Sequence, residues 1–444
     1  MSMGTKSSEQ QELWVATGDL PKSPGHPFYK RLNTILAEAR FDRMVEELCE
    51  PFYAKSGRRS IPPGVYFRML LIGYFEGIGS QRGIAWRCHD SFSLKDFLGF
   101  GVTDASPDHS SLTYIRKRLP LEVHHRVFLF VLEIAEKKKL LKGKTIAVDA
   151  TTLEANAAMK SIVLKETGED WKEYLVRLAK EEGIEEPTDE DLRRFDKKRK
   201  EKKVSNKDWK SKTDRDSRIT KMKDGRTHLA YKAEHAMDMD TDLVVAAEVF
   251  HADEGDPSTL LPTVVQSQVN MTLSGSEAEI KDAVADKGYH KAETLADLER
   301  FGLRSYIPEK QTKRRKWSDK PECYQEAYRA NRRRVKGNRG KALQRKRSEL
   351  PERSFAHVCE TGGARRTWLR GLEEINKRYL IQVAARNLGL ILRRLYGVGT
   401  PRSLQGEGYS LHSAPLGRLG ALIRRVWAIP SLFRRHVSRF ALAL

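Results

Sequence analysis

Two short apolar runs of this chain each stop at an aspartate, and their place in the order of elements constrains the fold more than any other feature. Residues 144–151 (KTIAVDAT) form a β-branched run that reads as a buried strand ending at Asp149. Residues 280–285 (IKDAVA) read as another strand, followed at once by Asp286. Between them, residues 228–237 (HLAYKAEHAM) and 243–250 (LVVAAEVF) flank Asp238-Met239-Asp240-Thr241-Asp242, a hairpin signature. Residues 258–269 and 291–301 carry helical patterns, and residues 304–308 (RSYIP) read as a further strand. Residues 372–396 form an amphipathic helix with Leu372, Ile375, Tyr379, Leu380, Val383, Leu388, Ile391 and Leu392 along its apolar side.

The resulting order is strand, hairpin, helix, strand, helix, strand, helices. It predicts an α/β fold, an RNase H-like mixed sheet flanked by helices, over residues 126–398. An all-helical region, residues 23–125, precedes it. There the apolar run 65–75 (VYFRMLLIGYF) reads as a buried helix, and Ser106-Pro107-Asp108 as the start of a helix carrying Arg116, Lys117 and Arg118. Short helices followed by a basic helix suit a helix-turn-helix arrangement that reads a DNA groove, although such a pattern more often means plain helical packing. Residues 127–139 (VFLFVLEIAEKKK) form the next helix.

Two segments interrupt the sheet pattern. Residues 160–226 are a charged insert, expected to be partly helical, partly mobile and mostly a solvated face. Residues 310–347 hold 16 Lys or Arg against 3 Asp or Glu. A run so one-sided repels itself unless phosphates lie near, so Arg332, Arg333, Arg334 and Arg347 are expected to contact DNA, with a flexible loop as the alternative. Residues 1–22 read as a disordered leader and residues 399–444 as a basic C-terminal tail.

Charge narrows the partners. Lys plus Arg number 81 against 60 Asp plus Glu, a formal charge of +21, which suits a polyanion because each neutralised phosphate releases condensed counterions. Cys49, Cys88, Cys323 and Cys359 lie far apart, so neither a disulfide framework nor a zinc site is expected. No apolar N-terminal stretch and no membrane-length apolar run occur, which points to the cytoplasm, alongside the bacterial nucleoid, and to no membrane partner.

Phosphodiester chemistry needs an attacking and a leaving oxygen in line, and two divalent metals about 3.5–4 Å apart serve both. Hard carboxylates at neighbouring strand ends would hold them. Asp149 and Asp286 meet that requirement, although a lone strand-end Asp is more often a turn or cap residue. For the third acid, Glu352 follows Pro351, which suits the first position of a helix; Glu349, Glu360 and Glu309 compete with it. His251, Asp253, Glu254 and Asp256 read as a polar loop capping the next helix, with a metal role as the alternative.

Three blocks resemble the DDE transposases of bacterial insertion sequences: IAVDATTLEA around Asp149, VADKGYH around Asp286, and ERSFAHVCETGGARRTWLRGLEEINKRYLIQVAARNLGLILR from Glu352. The first 120 residues, through SPDHSSLTYIRKRL, resemble the helical N-terminal domain of the same group. The likeness spans roughly residues 20–397. It implies Asp149, Asp286 and Glu352 as the catalytic, metal-binding acids, with Mg²⁺ (Mn²⁺ substituting) and double-stranded DNA with inverted-repeat ends. It also implies a homodimer or larger assembly at synapsis. The family's Tyr and Arg before the Glu and Lys after it are not kept: Ser348 stands four before Glu352 and Cys359 seven after. Arg347 and Arg353 are candidate replacements, and Lys287 and Tyr289 are candidate contacts to phosphate or the DNA end.

A nuclease that cuts without joining shares these features. So does a DNA-binding regulator derived from a transposase, and the charge alone also suits an RNA-binding structural protein.

Overall fold

A computed structural model describes residues 25–57, 60–199, 204–222, 224–310 and 317–404, together with residue 16. The leader expected at 1–22, residue 16 aside, and the tail beyond 404 lie outside the described residues.

The chain begins with helices α1 (Pro27–Glu38), α2 (Phe41–Cys49), α3 (Pro63–Phe75), α4 (Gln81–His89), α5 (Phe92–Leu98), α6 (His109–Arg118) and α7 (Leu121–Lys137). Local chemistry sets several starts. Ser80, Ser91 and Asp108 cap α4, α5 and α6 by accepting backbone N–H bonds at the first turn. Helix α3 is buried almost all round, which explains its uninterrupted apolar run. Helix α7 starts six residues before the apolar stretch that announced it, because Pro120 and Glu122 supply a first turn that periodicity does not register.

The α/β part follows as β1 (Thr145–Glu154), β2 (Ile162–Leu164), α8 (Trp171–Glu181), α9 (Asp189–Lys198), β3 (Trp209–Ser211), β4 (Arg218–Lys221), β5 (Thr227–Asp238) and β6 (Val244–His251). Then come α10 (Asp256–Leu273), β7 (Asp282–Val284), α11 (Ala292–Arg300), β8 (Arg304–Tyr306), α12 (Glu322–Lys336), α13 (Asn338–Phe355) and α14 (Leu372–Tyr396). The main sheet runs β4-β5-β1-β7-β8, with β6 also paired to β5. Strands β4 and β6 share one edge of the long β5: β4 meets residues 227–230 and β6 meets residues 231–237. Strand β1 is antiparallel to β5 and parallel to β7, and β7 is parallel to β8. This is the mixed RNase H-like order the sequence predicts.

The outer strands are closed by side-chain amides. On α14, Asn387 bonds both the N–H and C=O of Val244, and Asn376 does the same for Val249. Asn331 of α12 treats Ile307 likewise. Backbone groups that an exposed edge would leave open are thereby satisfied. One continuous apolar cluster runs from Phe28 of α1 through the sheet to Leu392 of α14, so helical region and sheet share a core, and α7 runs unbroken across residue 125.

The charged insert is ordered where described: β2 pairs with β3, and α8 and α9 share a small apolar cluster of Leu175, Ala179 and Leu192. Residues 200–203 and 223 of the insert and 311–316 of the basic segment lie outside the described residues. Most of the remaining basic segment is the helix pair α12–α13, not a loop. The start expected at Pro351 is corrected. Pro351 lies inside α13, which begins at Asn338, and Glu352 sits near its C-terminal end. A proline there removes one N–H from the helical ladder, and the chain leaves α13 through a wide π turn over Ala356–Thr361.

Candidate active site

The pairing of β1 with β7 sets Thr145 beside Asp282 and Ala147 beside Val284. Carried two residues further, the same offset brings Asp149 level with Asp286, which lies two residues past β7. The strand end expected at Asp149 is corrected, because pairing with β5 carries β1 on to Glu154 and leaves Asp149 in mid-strand. The Asp286 carboxylate is close enough to add to the cost of ionising Asp149. Asp149 pairs across β5 with His235, and Ala150 with Glu234. Directly paired residues point to the same side of a sheet, so Asp149 and Glu234 project from opposite faces.

On the Asp149 face lies α13. Arg347 places its Nη2 2.8 Å from Asp149 Oδ2. Burial still holds the Asp149 carboxyl above its usual pKa, outweighing the pull of Arg347. His235 is fully buried on this face, pairs with Ser354 Oγ at 3.1 Å and Tyr379 Oη at 2.9 Å, and stacks on Phe355. Burial drives its pKa well below 6.5, so it stays neutral and serves packing, not proton transfer. Arg365, which sequence reasoning passed over, donates to Thr151 Oγ1 at 3.1 Å and to the Thr152 carbonyl at 3.0 Å, further along β1.

On the opposite face Glu234 is completely buried. It accepts from Thr259 Oγ1 (2.7 Å), Thr263 Oγ1 and Tyr289 Oη (2.8 Å). Lys232 Nζ lies 3.4 Å from Glu234 and 2.9 Å from Asp256 Oδ1. Asp286 anchors the turn after β7, its Oδ1 accepting from Gly288 N at 2.7 Å. Gly288 is squeezed between two carboxylates: a Cβ there would lie 2.6 Å from Asp256 Oδ2 and 2.8 Å from Asp286 Oδ1. Asp256 thus stands next to Asp286.

The remaining expected residues separate clearly. Glu352 is exposed on the flank of α13, away from the sheet-facing Arg347, Pro351 and Ser354. Its competitors carry other partners: Glu349 pairs with Arg353, Glu360 with Arg365 and Glu309 with Arg332. Lys287 is exposed, but Tyr289 is turned inward and only 1% exposed. Arg353 bridges to Asp242, and Arg334 bonds Glu299 and Ser305, while Arg333 faces solvent. On α6, Arg116 is buried against Glu374 of α14. The exposed basic surface there is Lys117 and Arg118, the latter over the Tyr53 ring at 4.5 Å.

Asp149 and Asp286 are hard oxygen donors of the kind Mg²⁺ takes in ones and twos, completing its shell with water and phosphate oxygens. The elevated Asp149 pKa marks an anion undercompensated by Arg347, as a cation-binding carboxylate would be, so the pair fits a divalent ion. Among the described residues no three His, Cys, Asp or Glu side chains converge as a ready metal cluster, and Glu352 does not join the pair.

A mixed sheet of this order, led by a helical region and bringing an aspartate of β1 level with one just past β7, defines an RNase H-like fold. Residues 19–118 match the family model of a transposase domain (DUF772), and residues 308–392 match that of a transposase DDE domain. Both matches are to transposase domains, so over these two stretches the chain is similar to the DDE transposases of insertion sequences. No curated protein and no solved structure matches it. No helix among the described residues is long and apolar enough to cross a membrane.

Proposed function

We propose that this protein is a transposase that cuts DNA at the inverted-repeat ends of its insertion sequence and joins those ends to target DNA. Asp149 and Asp286 are the two core carboxylates, with Glu352 as the third. The observation that carries this reading is the parallel register of β1 and β7, which, extended two residues, brings Asp149 level with Asp286 just past β7. Bound Mg²⁺, or Mn²⁺ in its place, would supply activation of the attacking oxygen and stabilisation of the leaving one. The protein's own part is to hold the two carboxylates level, keep His235 neutral, and line the approach with cations. Arg347 and Arg365 on the β1 side, and Lys287, Arg332 and Arg333 further out, are suited to phosphate oxygens. Lys117 and Arg118 on α6 offer a second DNA contact. Arg334 and Tyr289 are committed to internal partners and act in support, Arg116 is turned inward against Glu374, and Arg353 is held at the surface by Asp242 and Glu349. Synapsis of two ends calls for at least a homodimer, in the cytoplasm beside the nucleoid.

The exposure of Glu352 and the Arg347–Asp149 ion pair favour one second reading, a DNA-binding regulator whose catalytic groups no longer assemble. Cleavage of a labelled duplex bearing the flanking inverted repeats, in Mg²⁺ or Mn²⁺, separates the two. Asp149→Asn and Asp286→Asn should lower cleavage by roughly a thousandfold, about 4 kcal/mol of transition-state stabilisation, while binding to the ends persists. Glu352→Gln should do the same; normal cutting by that variant would remove Glu352 from the triad. Binding without cutting by the unaltered protein would leave the regulator.

A further inference from the structure

Between the helical region and the sheet lies a cavity of about 490 Å³, enclosed by α3, the starts of α4 and α6, the loop before α14, and α14 itself. Arg82, Arg116, Arg366 and Arg378 line it together with His109, and among the described residues no Asp or Glu does. Glu154 pairs with Arg366 and Glu374 with Arg116 from behind the lining, which leaves Arg82 and Arg378 around this space without a carboxylate partner.

The imbalance is greatest at the floor. Arg116 is 8% exposed; its Nε reaches Glu374, but its Nη1 is buried with no hydrogen-bond partner. Arg378 donates from Nη2 to the Ile78 carbonyl at 3.2 Å, while its Nε and Nη1 are buried and partnerless. Glu374 is shared between Arg116 and Lys377, and Glu373 lies with Lys377, so neither carboxylate serves Arg378. Burial, with Arg116 close by, pushes the Arg378 pKa down to about 10, which leaves it protonated at neutral pH. A charged fork is therefore held in the protein with two of its donors idle. Leaving buried donors unmade is costly, and folds keep such groups where a ligand completes them.

The mouth differs from the floor. Trp368 is 55% exposed and packs over Gly79, where a Cβ would come within 2.7 Å of its indole nitrogen. Arg366 stands over the same ring at 5.9 Å, and Arg82 Nε lies 3.4 Å from His109. A flat aromatic face at the rim above paired guanidiniums matches a ligand with a planar base and a phosphate. The volume lies in the range of small-molecule sites and exceeds what a bare phosphate fills.

We propose that this cavity is a binding site for a phosphorylated nucleoside, its phosphate on Arg116 and Arg378 and its base against Trp368. Neither Asp149 nor Asp286 lines the cavity, although Leu153 and Tyr379 place it on the same face of β1 as Asp149, and the proposal does not depend on the cleavage reading. A free nucleotide and the terminal phosphate of a DNA strand present the same group, and occupancy by either would tie α3, α4 and α6 to α14.

The test is thermal melting and fluorescence anisotropy on the full chain with inorganic phosphate and a fluorescent deoxyadenosine monophosphate, at constant ionic strength set with chloride. Saturable binding of the nucleotide is expected, with at least a tenfold loss of affinity in Arg378→Met. That variant should melt no lower than the unaltered protein without ligand, since it removes an uncompensated charge, and should lose the rise in melting temperature with phosphate. Trp368→Ala should weaken the nucleotide while leaving the response to inorganic phosphate. Competition then distinguishes the sources: displacement by a 5′-phosphorylated duplex, and not by the same duplex without it, assigns the site to a strand end; displacement by neither assigns it to free nucleotides. No saturable binding, or an equal phosphate response in Arg378→Met, overturns the proposal.

Discussion

The two faces of the sheet around Asp149 carry similar residues and opposite electrostatics. On the α10 face, Glu234 is buried among four donors, and Lys232 joins it to Asp256. On the α13 face, one position away along β1, Asp149 has a single charged partner and an elevated pKa. A carboxylate surrounded by donors is part of the scaffold, whereas one left undercompensated beside an open flank is available to a ligand. Sequence position does not distinguish the two, because both are acids in apolar strands.

The largest expected effect comes from breaking the closed face. Lys232→Met strands Glu234 without its cation, so it should cost roughly 3–5 kcal/mol in urea denaturation. A stable Lys232→Met protein that cannot cut would show that this face is chemical after all, and erase the contrast. Gly288→Ala probes the seam between the faces. Its methyl must displace Asp256 or Asp286, so cleavage should fall by roughly a hundredfold through misplacement of the Asp286 carboxylate, with melting little changed. A loss of stability with normal cleavage would mean that Asp256, and not Asp286, yields.

The dependence on pH compares the sheet with the helical region. His124 of α7 is buried, bonded to Tyr66, and depressed from 6.5 to about 4; His235 is depressed as well. Both stay neutral in the folded chain while the unfolded chain takes up protons. Their stabilisation is therefore complete above pH 6.5 and is lost as pH falls toward 4. Urea midpoints measured across that window should decline, and His124→Asn should flatten the decline; an unchanged slope would assign it to the sheet. The smallest effect is expected at the surface of α6. Arg118→Ala should cost no more than about 1 kcal/mol through its contact with Tyr53, and should weaken DNA binding in a salt-dependent way.

Much of the architecture was legible from the chain. The hairpin of β5 and β6 and the full extent of α14 follow from local patterns of period two or period 3.6, whereas β1 runs past its expected end at Asp149 to Glu154 because pairing with β5 extends it beyond the apolar run. The site was legible only in part. Arg116 and Arg334 read as surface cations because a basic run shows charge but not which side of a helix faces inward. Tyr289 read as a DNA contact, and its burial depends on Glu234, 55 residues away in sequence. Pro351 read as a helix start because a proline at a first turn and one inside a long helix look alike in one dimension.

What the sequence by itself determined is the set of main elements and the acids that stand in or just after their apolar runs, since hydrophobic period and chain-local chemistry are written residue by residue. The tertiary structure alone decided which carboxylate is closed off and which is open, that Asn376 and Asn387 seal the edge of β6, and that four arginines surround one cavity. Those outcomes come from groups far apart in the chain brought to within a few ångströms, where the local dielectric and the available partners, not residue type, set the energy of each charge.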